Sequence, residues 1–87
     1  MIKLENNEAL QEYLVSLAKR LEATSAAPLA SYLHFAARQA PGLSTEFLGE
    51  SLIALKKVLD GEAGVLASSE REDLLNVISQ VAFAVRR

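Results

Sequence analysis

The 87-residue chain predicts an all-α fold, an antiparallel up-down four-helix bundle formed as a single domain over residues 1–87. About a third of the residues are Leu or Ala, which favour helices over strands. Four segments repeat apolar residues at helical spacing, and clusters of Gly, Pro and Ser separate them. Connections this short make successive helices antiparallel neighbours.

The first two helices are predicted over residues 7–23 and 26–40. An asparagine at position 6 or 7 caps the first helix, and a Thr-Ser pair followed by an early-turn proline starts the second. A Pro-Gly pair ends the second helix. The predicted buried side of the first helix is Leu10, Tyr13, Leu14, Leu17, Ala18 and Leu21, and that of the second is Leu29, Tyr32, Leu33, Ala36, Ala37 and Ala40.

The last two helices are predicted over residues 45–60 and 70–86. Ser44 is the expected N-cap of the third helix and Gly61 its terminator. Ser69 with Glu72 three residues later matches a capping box at the start of the fourth helix. The predicted core stripes are Leu48, Leu52, Leu55 and Leu59 in the third helix, and Leu74, Ile78, Val81 and Val85 in the fourth.

The fourth helix carries more apolar surface than a small bundle needs. Its apolar arc covers roughly 180°, against the narrower stripe usual for a surface helix. Three of its apolar residues are therefore expected to lie outside the core and to be covered by another surface: Leu75, Val77 and Phe83. Phe35 likewise misses the core side of the second helix. An arc this wide means either that the helix is central in the bundle or that another chain covers part of its surface. The second interpretation is the favoured one, and its interface candidates are Phe83, Leu75, Val77 and Phe35, with Arg38 and Gln80 as a polar rim.

The composition excludes several classes of protein. The chain has no cysteine, so disulfides and thiolate zinc sites are ruled out, and its net charge of −2 comes without any basic stripe. No apolar run approaches the length of a membrane span, and the N-terminus lacks the pattern of a secretion signal. We therefore expect a cytoplasmic protein without a membrane, cofactor, metal or small-molecule partner.

Catalytic patterns are sparse, which predicts that the protein is not an enzyme. The only histidine, His34, lies on the polar flank of the second helix with Arg38 one turn later. A catalytic or metal-binding histidine needs a converging carboxylate or a second ligand. No Ser-His-acid arrangement and no phosphate-binding glycine loop occurs in the sequence.

Residues 37–52 offer an alternative function in DNA binding. The end of one helix, a Pro-Gly-Leu-Ser turn and the start of another match the core of a helix-turn-helix in the spacing of Gly42, Leu43 and Leu48. The would-be recognition helix presents Thr45, Glu46 and other residues without a Lys or Arg cluster. Nucleic acid is therefore an unfavoured partner.

A second alternative comes from the four residues Gly49-Glu50-Ser51-Leu52, which resemble the Asp-Ser-Leu site of acyl and peptidyl carrier proteins. Those proteins are small acidic four-helix domains, and the resemblance implies a phosphopantetheine group attached to Ser51. Glu50 stands where that site has aspartate.

The leading hypothesis is a small, bacterial-type, non-enzymatic helical protein that acts through protein–protein contacts. It would serve as a regulator, inhibitor or adaptor on a larger protein, or as a module that forms a homodimer. Aromatic residues and arginine usually dominate such interfaces, which puts Phe83 at the centre of the hypothesis.

Overall fold

The computed structural model describes residues 3–62 and 64–86, and within them it confirms an all-α bundle of four helices without β-strands. The helices are α1 (Asn7–Glu22), α2 (Ala30–Ala37, preceded by one 3₁₀ turn, Ala27–Leu29), α3 (Ser44–Gly61) and α4 (Ser68–Arg86). None of these helices has both the length and the apolar character that crossing a membrane requires.

Polar contacts of α4 with α1 and with the segment just before α1 show the relative direction of the two helices. At one end, Arg20 Nη1 lies 2.8 Å from Glu70 Oε2. At the other, the Leu4 amide donates a hydrogen bond of 2.8 Å to Gln80 Oε1. The end of α1 thus meets the start of α4, and the two run antiparallel. Since α2 packs on α1 and α3, and α3 on α4, the arrangement is the predicted up-down bundle.

The buried side of α1 is confirmed in full. Its six predicted core residues are all buried, and they lie on one stripe of a regular helix. The predicted cap is also confirmed, because the Asn6 side-chain oxygen accepts a hydrogen bond of 2.8 Å from the Ala9 amide. Lys19 and Arg20 in the last turn complement the helix dipole.

The second helix is shorter than predicted, and one of its residues points elsewhere. Thr24 Oγ1 accepts a hydrogen bond from the Ala26 amide, as expected of a cap, but the chain then makes a 3₁₀ turn at Pro28 before α2 begins. α2 ends at Ala37, and the residues up to Ala40 form tighter turns whose last two amides bond to carbonyls three residues back. Tyr32, predicted to be buried, is 43% exposed, with Lys57 Nζ 4.8 Å from its ring centroid.

The core side of α3 is rotated from the predicted leucine stripe. Of the four leucines only Leu55 is fully buried, and Leu48, Leu52 and Leu59 are half-buried. The buried residues of α3 are Phe47, Ser51, Ala54, Leu55 and Val58. The helix therefore points its phenylalanine and its smaller residues at the bundle centre, where small side chains allow neighbouring helices to approach closely.

The ends of α3 differ from the predicted ones. Ser44 caps nothing, because its hydroxyl accepts a hydrogen bond from Asn7 Nδ2 (2.9 Å) and the N-cap position is Leu43. Gly61 is the last residue of the helix rather than its terminator, and the left-handed conformation falls at Gly64 (φ 82°). A Cβ on Gly61 would lie 3.2 Å from a Leu29 methyl carbon, so this glycine allows the close contact of α3 with the 3₁₀ turn.

The capping interaction of α4 lies two residues before the predicted one. The Ala67 amide donates a hydrogen bond of 2.9 Å to Glu70 Oε1, the Glu half of a capping box, whereas the predicted pair was Ser69 and Glu72. This backbone hydrogen bond, followed by the hydrogen bond from Arg20, lowers the pKa of the Glu70 carboxyl. Glu70 therefore joins the start of α4 to the end of α1.

Tyr13 is expected to make the stability of the protein sensitive to alkaline pH. Burial raises the pKa of the Tyr13 phenol from 10.0 to about 12, because the core solvates a phenolate poorly. The unfolded chain loses this proton near its ordinary pKa, so the free energy of unfolding falls as the pH rises from 10 towards 12. We expect a loss of about 2 kcal/mol over that range, measured by urea unfolding at stepped pH.

Tyr13→Phe should remove this pH-dependent component, and Tyr32→Phe, at an exposed residue, is the matched control. Equal pH dependence in the wild type and in Tyr13→Phe would contradict the prediction.

Candidate functional site

The core side of α4 is Leu74, Val77 and Val81, which are buried. Two predicted placements are therefore wrong: Val77 was expected to lie outside the core, and Val85, which is exposed, was expected inside it. Ile78 is half-buried at the edge. Compared with the predicted orientation, α4 is rotated about its axis so that Val77 faces the core. Val77 therefore cannot be part of an exposed interface.

The opposite side of α4 carries the most exposed aromatic side chain of the described residues. Phe83 is 66% exposed and Leu75 is 46% exposed. At about 100° per residue, both lie on the same side of the helix as three exposed polar residues. We call this set the outer face of α4: Glu72, Leu75, Ser79, Phe83 and Arg86.

The outer face of α4 is ridged rather than flat. A hollow of about 420 Å³ lies beside Leu75, lined by Glu72, Asp73, Leu75 and Asn76. A second hollow of about 450 Å³ flanks Phe83, and its lining includes Ser79 and Gln80. The two apolar side chains therefore project next to depressions that an opposing side chain could enter.

Gln80, predicted as part of a polar rim, is held within the fold. It is half-buried, its Oε1 accepts from the Leu4 amide, and its Nε2 donates a hydrogen bond of 2.6 Å to Asn76 Oδ1. Its side chain thus ties the segment before α1 to α4. No sequence signal reports this contact, because Leu4 and Gln80 are far apart in the chain.

Phe35 and Arg38 belong to a different surface from Phe83. Phe35 is 52% exposed on α2, and Arg38 is exposed just after that helix. α2 packs on α1 and α3, whereas α4 packs on α3. The predicted candidates are therefore divided between two surfaces.

His34 has a carboxylate partner that the sequence did not indicate. Its Nε2 lies 3.2 Å from Glu22 Oε2, at the surface where the end of α1 meets α2. A general base would also need a nucleophile or substrate proton within hydrogen-bond reach. In the described part of the chain no serine or threonine hydroxyl is hydrogen-bonded to this ring. The pair links two helices.

The segment considered for DNA binding spans the turn between α2 and α3. α2 ends at Ala37 and α3 begins at Ser44, with Thr45 and Glu46 exposed in its first turn. Arg38 is also exposed. A carboxylate in the first turn would face the phosphates of a docked duplex and repel them.

Ser51, the residue of the carrier-protein resemblance, is fully buried in α3. A transferase cannot reach a side chain in this position, so the expectation of a phosphopantetheine group on Ser51 is wrong. Among the described residues its hydroxyl has no hydrogen-bond partner. A buried polar atom without a partner is a cost to stability.

Ser51→Ala is expected to raise the free energy of unfolding by about 1 kcal/mol. Alanine has the higher helix propensity, and the substitution removes the unpaired buried hydroxyl. Chemical unfolding followed by circular dichroism measures the change. Ser16→Ala, on the exposed side of α1, is the control for propensity alone. A Ser51→Ala variant less stable than the wild type would show that the hydroxyl has a favourable role.

The outer face of α4 is therefore the candidate functional site. Across residues 3–62 and 64–86, no group of three or more His, Cys, Asp or Glu is placed to hold a metal ion. Comparison with known protein families, with curated proteins and with solved structures finds no match for this chain.

Proposed function

We propose that this chain is a small non-enzymatic helical protein that acts through protein–protein contacts, and that the outer face of α4 is its docking surface. One observation carries the proposal: Phe83 and Leu75 are exposed on the same side of a 19-residue helix. Water contact with so much apolar side chain is unfavourable by roughly 25 cal/mol per Å². A partner that covers both residues removes this cost.

The surroundings of Phe83 support a protein partner. Aromatic residues and arginine are enriched in protein interfaces, and a polar rim usually surrounds an apolar centre. Arg86 and Glu72 stand at the two ends of the outer face of α4, with the apolar pair between them. An interface of this kind would be centred on α4, with its polar groups at the edges.

Site-specific photo-cross-linking tests the proposal. A benzophenone amino acid in place of Phe83 should form a discrete covalent adduct when the protein is irradiated in its host cell. The same group in place of Ser16, on the exposed side of α1, is the control and should form none. An adduct of twice the chain mass identifies a second copy, and any other mass identifies another protein. If position 83 gives no more adduct than position 16, the proposal is wrong.

Phe83→Ser and Phe35→Ser form a matched pair of substitutions. Both residues are more than half exposed, so neither change removes a core side chain. Association through the outer face of α4 should be lost in the first variant and kept in the second. If association is kept in Phe83→Ser and lost in Phe35→Ser, the docking surface is on α2 instead.

A further inference from the structure

We infer that the partner at the outer face of α4 is a second copy of this chain, packed antiparallel to the first about a two-fold axis that passes through Ser79. This inference rests on the proposed function, since it names the occupant of the same surface. The argument comes from the order of residues along α4, from the exposure of their side chains and from the hollow beside Leu75.

The outer face of α4 is complementary to itself when reversed. In an antiparallel pair centred on Ser79, residues equally far before and after it face each other. Glu72 and Arg86 are each seven residues from Ser79, so each meets the opposite charge of the other copy. Leu75 and Phe83 are each four residues away, so they meet as an apolar pair. Every contact occurs twice, as a two-fold axis requires.

Charge specifies the direction of this pairing. In a parallel pair Glu72 would face Glu72 and Arg86 would face Arg86, and both contacts would be repulsive. In the antiparallel pair both become attractive. The two side chains are exposed and free to meet a partner copy, and among the described residues neither takes part in an ion pair within its own chain.

Shape agrees with the same register. The hollow of about 420 Å³ lined by Glu72, Asp73, Leu75 and Asn76 lies where Phe83 of the second copy would arrive. Ser79 on the axis has a small side chain, so the helices can approach closely. With axes 8–10 Å apart, the Ser79 Cα atoms of the two copies would lie roughly 5 Å from each other.

Charge reversal and its rescue test the pairing. Sedimentation of the wild-type chain should show a concentration-dependent dimer. Glu72→Arg and Arg86→Glu should each raise the dimer dissociation constant about tenfold, because each creates two like-charge contacts. The double variant restores opposite charges and should return the constant to within about twofold of the wild type. Glu12→Arg, at an exposed residue of α1 that lines a hollow with Ala40 and Pro41, is the matched control and should change nothing.

Three results would overturn the inference. The first is a wild-type chain that stays monomeric at its highest soluble concentration. The second is a double variant that associates no better than the single ones. The third is single variants that associate as well as the wild type. Circular dichroism on each variant verifies that the helices are intact.

A cysteine on the axis gives an independent test, because the chain contains no other cysteine. Under mild oxidation Ser79→Cys should form a disulfide-linked dimer at least tenfold faster than Ser16→Cys, since only position 79 meets its own copy at a distance suited to a disulfide. Equal rates would contradict the inference. If these dimer tests fail while the benzophenone at position 83 captures a different protein, the two-fold pairing is wrong and the docking surface stands. If position 83 captures nothing, both are wrong.

Discussion

Phe47→Ala is expected to lower the free energy of unfolding by about 3–5 kcal/mol, the range for truncating a buried aromatic residue. Phe47 is the largest of the side chains that are completely buried in the bundle. It lies in the first turn of α3, the helix that packs against both α2 and α4. Its removal would leave a cavity that the surrounding helices can fill only in part. Urea unfolding followed by circular dichroism measures the loss.

Leu48→Ala is the control, because it truncates the neighbouring residue of the same helix. Leu48 is half-buried beside the segment before α1, so its truncation should cost less than half as much as that of Phe47. The predicted leucine stripe implies the reverse order, with Leu48 in the core. Equal losses, or a larger loss for Leu48, would contradict the rotation of α3. Should Phe47→Ala fail to fold, Phe47→Leu keeps most of the volume and gives a measurable smaller loss.

The fold class and the whole of α1 could be predicted because their signals are local. The apolar residues of α1 form one narrow stripe with polar residues on either side, so only one side of the helix can face the core. The asparagine cap is equally local, since it acts within one turn. Such features do not depend on what the rest of the chain does.

The orientations of α3 and α4 could not be predicted in the same way. Apolar residues cover about half of each helix, and any stripe within that arc satisfies the pattern. The neighbouring helices decide which one is buried. In α4 the neighbouring helices bury Val77 instead of Val85, and in α3 they bury Phe47 completely and Leu48 only in part. A wide apolar arc therefore indicates surplus surface without showing which residues form it.

The candidate site was predictable where a residue lies opposite every possible core stripe. Phe83 is of that kind and is exposed, whereas Leu75, at the edge of the apolar arc, is exposed because the core side of α4 is turned towards Val77. Gln80 was expected to be on a rim, yet the Leu4 amide holds it. The self-complementary order of the outer face of α4 was readable from the sequence in principle. What the sequence lacks is the exposure of each side chain, which shows that these residues share one face.

No signal in the sequence indicated that the Glu62 side chain is buried. Its burial leads to the second prediction of a large change in stability. Glu62 follows α3 in a connection where a carboxylate would ordinarily be solvated, but its side chain is 1% exposed. Oε1 accepts a hydrogen bond from the Gly64 amide, and Oε2 lies 3.5 Å from Arg71 Nη1 in α4. A carboxylate at the end of a helix opposes the helix dipole, so Arg71 is its compensating charge.

Arg71→Met is expected to lower the free energy of unfolding by about 2–3 kcal/mol at neutral pH, because it leaves a buried carboxylate unpaired. The value is at or below the lower limit of the roughly 3–5 kcal/mol expected for a broken buried pair, since half of the Arg71 side chain is in water. Glu62→Gln should suppress most of this loss, because glutamine keeps an acceptor for the Gly64 amide and carries no charge. The measurement is a double-mutant cycle by chemical unfolding. If Arg71→Met costs the same with Glu62 or with glutamine at position 62, Arg71 stabilises the protein through packing alone, and the buried carboxylate has no dependence on its partner.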